Sequence, residues 1–327
     1  MHMADALISP AVGATLWAAS AGIAACCARK IRQSGDDRMV PMMGVLGAFV
    51  FTAMMINFSI PGTGSSGHLG GGLLLAILLG PHAAFLVMAS VLTIQALFFA
   101  DGGLLALGCN VFNLGFFPAF IAYPWIYRPL ARGDGSRAWM ASMLAAVAGL
   151  QLGAFAVVLE TKASGISALP FGPFVLLMQP IHLAIGLVEG IATAALVGFV
   201  SEARPEALAP VSTSHERRSR WYWLVAALLM GGLFSWFASE RPDGLEWALA
   251  KVSGQSQTPS DGMHREAARL QQKTAFLPGY AFQTTEASRS GANAGASVSG
   301  IAGGLFTFSA ATLIGVGLRR ARRNGAK

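Results

Sequence analysis

Long apolar runs separated by short polar segments occupy most of the chain. The runs cover roughly residues 11–28, 41–58, 69–100, 104–126, 139–159, 172–200, 221–238 and 299–318. A helix needs roughly 20 apolar residues to cross the hydrocarbon core of a bilayer, and most of these runs reach or approach that length. The pattern therefore predicts an all-α membrane protein.

The run 69–100 is too long for one ordinary span. As a single helix it would extend to about 48 Å, against a hydrocarbon core of about 30 Å. Gly80 and Pro81 stand near its middle, and proline interrupts the hydrogen-bond ladder of a helix. We therefore predict two short passes hinged at Gly80–Pro81, which gives nine helices in total.

Basic residues indicate how the chain is oriented. They form four clusters between apolar runs: Arg29-Lys30-Arg32, Arg128-Arg132-Arg137, Arg217-Arg218-Arg220 and Arg319-Arg320-Arg322-Arg323. Lys and Arg accumulate in cytoplasmic loops beside spans. With two passes in 69–100 and the N-terminus outside, every cluster is cytoplasmic; a single pass would place two of them outside. We expect a multi-pass protein of the cell inner membrane, with its C-terminus in the cytoplasm.

Composition supports the membrane class and argues against other partners. Apolar residues make up 54% of the chain and charged residues only 12%, with a net charge of +7. Because the basic residues flank apolar runs, we expect contact with membrane lipid and no nucleic-acid partner. The three cysteines are too few for a disulfide framework and are interpreted as packing residues.

Polar segments divide the chain into three parts. Residues 1–200 are predicted to form a seven-helix body, and the Pro- and Ser-containing segment 201–220 a cytoplasmic linker. Residues 221–327 are predicted to form a two-helix accessory domain, whose helices are joined by an extracytoplasmic loop over 239–298.

Two histidines fall on the same predicted face of the membrane. His2 follows the amino group of Met1, and His68 ends the Gly-rich loop between the second and third helices. The Met1 amine, the His2 amide and Nδ1 of His2 can close two adjacent chelate rings on one metal ion, and His68 can supply a fourth nitrogen. Such a planar nitrogen set suits Ni²⁺ or Cu²⁺, with Co²⁺ behind them in affinity. The alternative is that both histidines are simply solvated.

Polar residues also occur inside the predicted helices. His182 and Glu189 are seven residues apart and share one helix face. Ionisable groups in spans are functional candidates by default, although a buried hydrogen bond or ion pair that fixes packing explains them equally well.

Three further candidates flank the start of the fifth helix at the outer face. They are Asp101, Asn110 and Asn113. Asp101 is interpreted first as a negative charge near a helix N-terminus and second as a metal ligand. The remaining histidines are expected elsewhere. His82 is predicted to lie too far from His2 to share its site, and His215 and His264 are predicted to be exposed to solvent.

Several catalytic signatures are absent from the sequence. It contains no G-x-x-x-x-G-K-[ST] and no H-E-x-x-H, so we expect no ATP site on this chain and no zinc-hydrolase helix. Two other functions remain open: a stand-alone proton-coupled metal carrier using His182 and Glu189, and an intramembrane metalloenzyme built on His68, His182 and Asp101.

The candidate motifs resemble those of the CbiM/NikM family, the substrate-capture components of energy-coupling-factor transporters for cobalt and nickel. The start M-H-M-A-D-A-L-I-S-P is similar to the family's M-H-I-x-[DE]-G-[FY]-L-[SP]-P. Three internal stretches are also similar: Gly67-His68 followed by Gly70-Gly71, Gln95 through Asp101, Asn110 and Asn113, and His182 through Glu189-Gly190. Pro242-Asp243-Gly244-Leu245-Glu246 looks like the P-D-G-L-E signature of the small accessory subunit, here fused to residues 1–200.

The resemblance implies a function, partners and a ligand set. It implies the substrate-specificity subunit of an ATP-driven importer, with a separate transmembrane coupling subunit and two ATPase subunits, and no enzymatic activity on this chain. The metal would be held by the Met1 amine, the amide and imidazole of His2, and His68. Ala6 and Thr63-Gly64 depart from the family pattern. Nickel and cobalt are not distinguished by these ligands, although the fused tail favours nickel.

Overall fold

The computed structural model describes residues 2–34, 39–132, 135–166, 169–203, 216–239, 241–253, 262–282 and 289–325. Most of them are helical. The first eight helices are α1 Pro10–Ser34, α2 Met39–Met54, α3 Gly72–Leu79, α4 Pro81–Phe99, α5 Leu107–Val111, α6 Arg128–Leu130, α7 Gly135–Ser164 and α8 Phe171–Ala203, with a π-helical segment, Phe112–Tyr127, joining α5 to α6. The last four are α9 Glu216–Gly232, α10 Gly244–Ser253, α11 Gly262–Thr274 and α12 Arg289–Gly325.

Five of these helices are long and apolar enough to cross a membrane. They are Pro10–Ser34, Pro81–Phe99, Gly135–Ser164, Phe171–Glu202 and Ala294–Asn324. The helices Met39–Met54 and Trp221–Gly232 are apolar but shorter. The protein is therefore a helical multi-pass membrane protein, as its apolar runs predict.

The predicted break at Gly80–Pro81 is present, but the two halves of the run 69–100 are unequal. Pro81 begins α4, and Gly80 before it has a positive φ of 77°. The first half is helical only over the eight residues of α3. Such a helix is about 12 Å long, well short of a hydrocarbon core of about 30 Å. The first of the two predicted short passes is therefore helical over α3 alone, because the helix begins only at Gly72 and ends before Gly80.

A short hairpin precedes α3 and departs from the all-α prediction. Strands β1, Phe58–Ser59, and β2, Ser66–Gly67, pair antiparallel, with Phe58 opposite Gly67 and Ser59 opposite Ser66. Ser66 also makes a parallel bridge to Asp243 of the C-terminal region. The hairpin thus holds the segment leading to His68 and connects it to the accessory domain.

The C-terminal helices pack on α2. Phe49 of α2 and Trp223 of α9 meet edge to face with ring centroids 4.8 Å apart. Gly231 of α9 lies against Gly300 of α12, where a Cβ atom on either residue would meet the other's backbone. Small residues of this kind allow membrane helices to approach closely.

The predicted loop 239–298 is more structured than expected. It contains α10, α11 and a 3-10 turn, Pro278–Tyr280, and α12 already begins at Arg289. The central part of the predicted linker, 204–215, lies outside the described residues, as does His215.

Candidate metal site

The N-terminal segment is held inside the protein by the start of α5. Met3 is fully buried. The side chain of Asn110 bonds to both backbone groups of Met3: its Oδ1 accepts the Met3 N–H at 2.8 Å, and its Nδ2 donates to the Met3 carbonyl at 3.2 Å. A primary amide can serve a backbone N–H and C=O together, much as a neighbouring β-strand would. Asn110 therefore fixes the chain next to His2.

The loop before α5 is shaped to receive this segment. The Gly103 N–H donates to the Met3 carbonyl at 2.9 Å. A Cβ atom on Gly103 would collide with the side chain and backbone of Asp5. The Asp5 carboxylate in turn accepts the Ala106 N–H at 2.9 Å, just before α5. The negative charge at this helix start was predicted to be Asp101, but Asp5 occupies that place.

His2 lies between two polar side chains. Its Nε2 is 3.2 Å from Oε1 of Gln95, and its Nδ1 is 3.2 Å from Oδ1 of Asp101. The other oxygen of Asp101 accepts a hydrogen bond of 2.6 Å from the hydroxyl of Tyr280. Asp101 is therefore a direct neighbour of the His2 ring. The contact of Gln95 with His2 was not predicted from the sequence.

The two predicted imidazole ligands are adjacent. The rings of His2 and His68 stack with centroids 4.9 Å apart and planes inclined by 21°. Nδ1 of His68 lies 3.1 Å from the Leu69 carbonyl oxygen. Because a carbonyl oxygen only accepts, Nδ1 is the protonated nitrogen in this contact and Nε2 carries the lone pair that can ligate a metal.

Burial keeps both imidazoles in the form that binds metal. Removal from water lowers the pKa of His2 and lowers that of His68 well below its ordinary value. Neutral imidazole is the ligating form, so both rings are ready to bind a cation. Within the described residues, no three His, Cys, Asp or Glu side chains converge on one point as a metal site. Met1, the predicted source of the amine ligand, lies outside the described residues.

Glu189 holds the loop that carries His68. Its two carboxylate oxygens accept the N–H groups of Gly70 and Gly71 at 2.7 and 3.2 Å. His182 instead places Nδ1 2.8 Å from the Met178 carbonyl, one turn earlier in α8. The two side chains therefore do not bond to each other. Each has its own backbone partner, the loop before α3 for Glu189 and the preceding turn of α8 for His182.

Asn113 contributes to the site indirectly. Its Nδ2 donates to Oε2 of Glu160 at 2.8 Å and lies 4.0 Å from the sulfur of Met3. Glu160 is buried in α7 and was not among the predicted residues. Asn113 therefore supplies a hydrogen-bond donor to the buried Glu160 carboxylate, next to the Met3 side chain of the N-terminal segment.

The accessory region covers the N-terminal segment. Nε2 of His264 lies 2.8 Å from the Ile8 carbonyl, so this histidine is buried and the expectation that it is solvated is wrong. Nε2 of Gln271 donates to the carbonyls of Ala96 and Gly102 at 2.8 and 2.7 Å. All three accepting groups are backbone carbonyls, which leave no signal in a sequence. This explains why the contact was not predicted.

The fold is that of a helical membrane protein, and a buried pair of imidazoles lies next to its N-terminus. These features together are those of a metal transporter. The family model described as "Cobalt uptake substrate-specific transmembrane region" (CbiM) matches residues 2–207, and the PDGLE domain model matches residues 217–320. The chain belongs to the CbiM family and carries a fused PDGLE domain. This is a family of transporters and not of enzymes.

Named relatives and solved structures agree with this assignment. The chain is 36% identical over 215 residues to a putative fused nickel transport protein NikMN of Archaeoglobus fulgidus, covering 64% of this chain and 68% of that protein. It is 34% identical over 247 residues to the fused nickel transport protein NikMN of Rhodobacter capsulatus, covering 70% and 71%. A crystal structure of a truncated transition metal transporter superposes with a TM-score of 0.55 at 32% identity, covering 62% of this chain and 99% of that one.

Proposed function

We propose that this chain is the substrate-specificity subunit of an ATP-driven importer and captures Ni²⁺ or Co²⁺ at its N-terminus. The observation that carries the proposal is the stacked pair of His2 and His68, 4.9 Å apart although 66 positions separate them in the chain. Gln95 and Asp101 contact the His2 ring, and the Leu69 carbonyl contacts the His68 ring.

The proposed ligands are the Met1 amine, the amide and Nδ1 of His2, and Nε2 of His68. Nδ1 of His2 exchanges its contact with Asp101 for the metal. Nε2–H then donates to Oε1 of Gln95, the kind of partner that orients most metal-bound histidines. Nickel is favoured over cobalt because the fused relatives above are named nickel transport proteins.

The proposed transporter combines two domains of this chain with separate partner subunits. Residues 1–200 form the capture domain and residues 221–327 the accessory domain, joined by the linker 201–220. The N-terminus faces the extracytoplasmic side and the C-terminus the cytoplasm. A transmembrane coupling subunit and two ATPase subunits, separate from this chain, drive release of the metal inward. The α11 contacts at Ile8 and Gly102 support a role for the accessory loop in holding the capture site together.

The test is metal retention by chains with an altered N-terminus. Both His2→Ala and a chain with residues added before Met1 should lose bound Ni²⁺ or Co²⁺, measured by mass spectrometry on protein purified through a C-terminal tag. Membrane insertion should be unchanged. His82→Ala is the matched control, because this histidine packs on Phe120, away from the site.

Two results would overturn the proposal. Normal metal content in the extended chain would exclude the amine as a ligand. Metal uptake into proteoliposomes that contain this chain alone would exclude dependence on ATPase partners and favour a stand-alone carrier.

A further inference from the structure

The PDGLE sequence forms a helix start with reciprocal caps. Oδ1 of Asp243 accepts the Glu246 N–H at 2.8 Å, and Oε2 of Glu246 accepts the Asp243 N–H at 3.3 Å. This is the capping-box arrangement, in which the side chain of each residue accepts a hydrogen bond from the backbone N–H of the other. Leu245 between them is buried. The motif therefore builds a rigid turn at the start of α10.

This turn lies directly on the strand that leads to His68. The Ser66 N–H donates to the Pro242 carbonyl at 2.8 Å, and the Ser66 hydroxyl donates to the Arg241 carbonyl at 2.7 Å. Ser66 stands two residues before His68. The backbone bridge between Ser66 and Asp243 thus fixes the position of the Asp243 carboxylate relative to the metal-binding loop.

On its other side the turn meets α8 at His182. A Cβ atom on Gly244 would lie 2.5 Å from Ile181 and 3.5 Å from Cε1 of His182, so only glycine allows this approach. His182 is fully buried, and within the part of the chain that the structure describes its Nε2 has no hydrogen-bond partner. A buried imidazole lone pair requires a donor or a cation. The turn therefore contacts both the strand that leads to His68 and the ring of His182.

Asp243 brings a negative charge to this region. Burial alone would raise the pKa of its carboxyl, but the Glu246 N–H that it accepts and the neighbouring imidazole of His68 hold that pKa below its ordinary value. A divalent ion held by one deprotonated amide and otherwise neutral nitrogens keeps a net positive charge. Such a charge is costly to bury unless a carboxylate balances it.

We propose that the PDGLE turn completes the metal site, with the Asp243 carboxylate facing the ion held by His2 and His68 and balancing its charge. This inference rests on the proposed function. It makes the fused domain a component of the capture site, which would be incomplete without it. It also assigns PDGLE two tasks: Glu246 caps α10, whereas Asp243 both caps the helix and faces the ion.

The competing explanation is that Asp243 only caps α10, and substitution separates the two. Asn and Ser cap helices about as well as Asp but carry no charge. Ni²⁺ affinity of the full-length chain, measured by titration in detergent, should fall about 10- to 100-fold in Asp243→Asn and Asp243→Ser, the usual effect of losing a supporting metal-site partner. The midpoint of thermal unfolding should be unchanged in at least one of them. Glu246→Gln, which keeps its acceptor oxygen, should bind Ni²⁺ within twofold of the natural chain.

Three results bear on the inference. Natural Ni²⁺ affinity in either folded, cap-retaining variant would show that Asp243 only caps the helix. An equal loss of affinity in Glu246→Gln would attribute the effect to the turn as a whole and would overturn the role of the charge. Failure of the natural chain to bind Ni²⁺ or Co²⁺ would instead refute the proposed function, so the two failures are distinguishable.

Discussion

The clamp that Asn110 places on Met3 gives the sharpest prediction about the N-terminus. Asn110→Ala removes the only described acceptor of the Met3 N–H and one of two donors to the Met3 carbonyl. The Gly103 N–H still serves that carbonyl. Because the segment is buried, water does not readily replace the missing groups. The segment carrying His2 should therefore be released from its place.

The expected magnitude follows from these contacts. A buried donor left without an acceptor costs about 1–3 kcal/mol, and the lost bond to the still-satisfied carbonyl about 1 kcal/mol. The total is about 2–4 kcal/mol. Metal binding must then supply the free energy that orders the segment. At about 1.4 kcal/mol per tenfold change, Kd for Ni²⁺ should rise roughly 30- to 700-fold.

Titration of the purified chain with Ni²⁺ measures this Kd, and thermal unfolding measures stability in parallel. Ser20→Ala is the matched control. The Ser20 hydroxyl of α1 donates a buried hydrogen bond of 2.7 Å to the Gly108 carbonyl of α5, the helix that also carries Asn110. Among the residues with described positions, Ser20 makes no hydrogen bond to the N-terminal segment. It should lower stability by about 1 kcal/mol and leave Kd unchanged. A folded Asn110→Ala chain with Kd within threefold of the natural one would refute the clamp.

Two further predictions concern the loops around the histidines. Gly103→Ala should weaken Ni²⁺ binding more than tenfold, because its Cβ would displace the N-terminal segment. The control is Gly198→Ala, which lies in open space on α8 and should bind Ni²⁺ normally. Equal affinities in the two variants would contradict the packing argument. Glu189→Ala should destabilise the protein by about 2–5 kcal/mol, since two buried N–H groups lose their acceptor, and Glu189→Gln by about half as much in thermal unfolding. A Glu189→Gln chain that is fully stable but inactive in transport would instead favour a proton relay.

The sequence alone determined the class of protein and the pair of imidazoles. Apolar runs predicted the helices because a hydrocarbon core admits little else. Gly80–Pro81 predicted the break between α3 and α4, since proline cannot continue the helix before it. Charge bias placed His2 and His68 on one face, and the structure brings their rings together.

Only the tertiary structure decided which polar groups support that pair. Asn110 bonds to the backbone of Met3, Glu189 to the backbone of Gly70, and Ser66 to the backbone of Pro242. Every residue carries the same backbone groups, so the sequence does not reveal which of them a distant side chain will meet. Periodicity shows that a side chain is buried but not what it faces. For that reason Asp101 was assigned to a helix start that Asp5 occupies, and His264 to solvent although it is buried against Ile8.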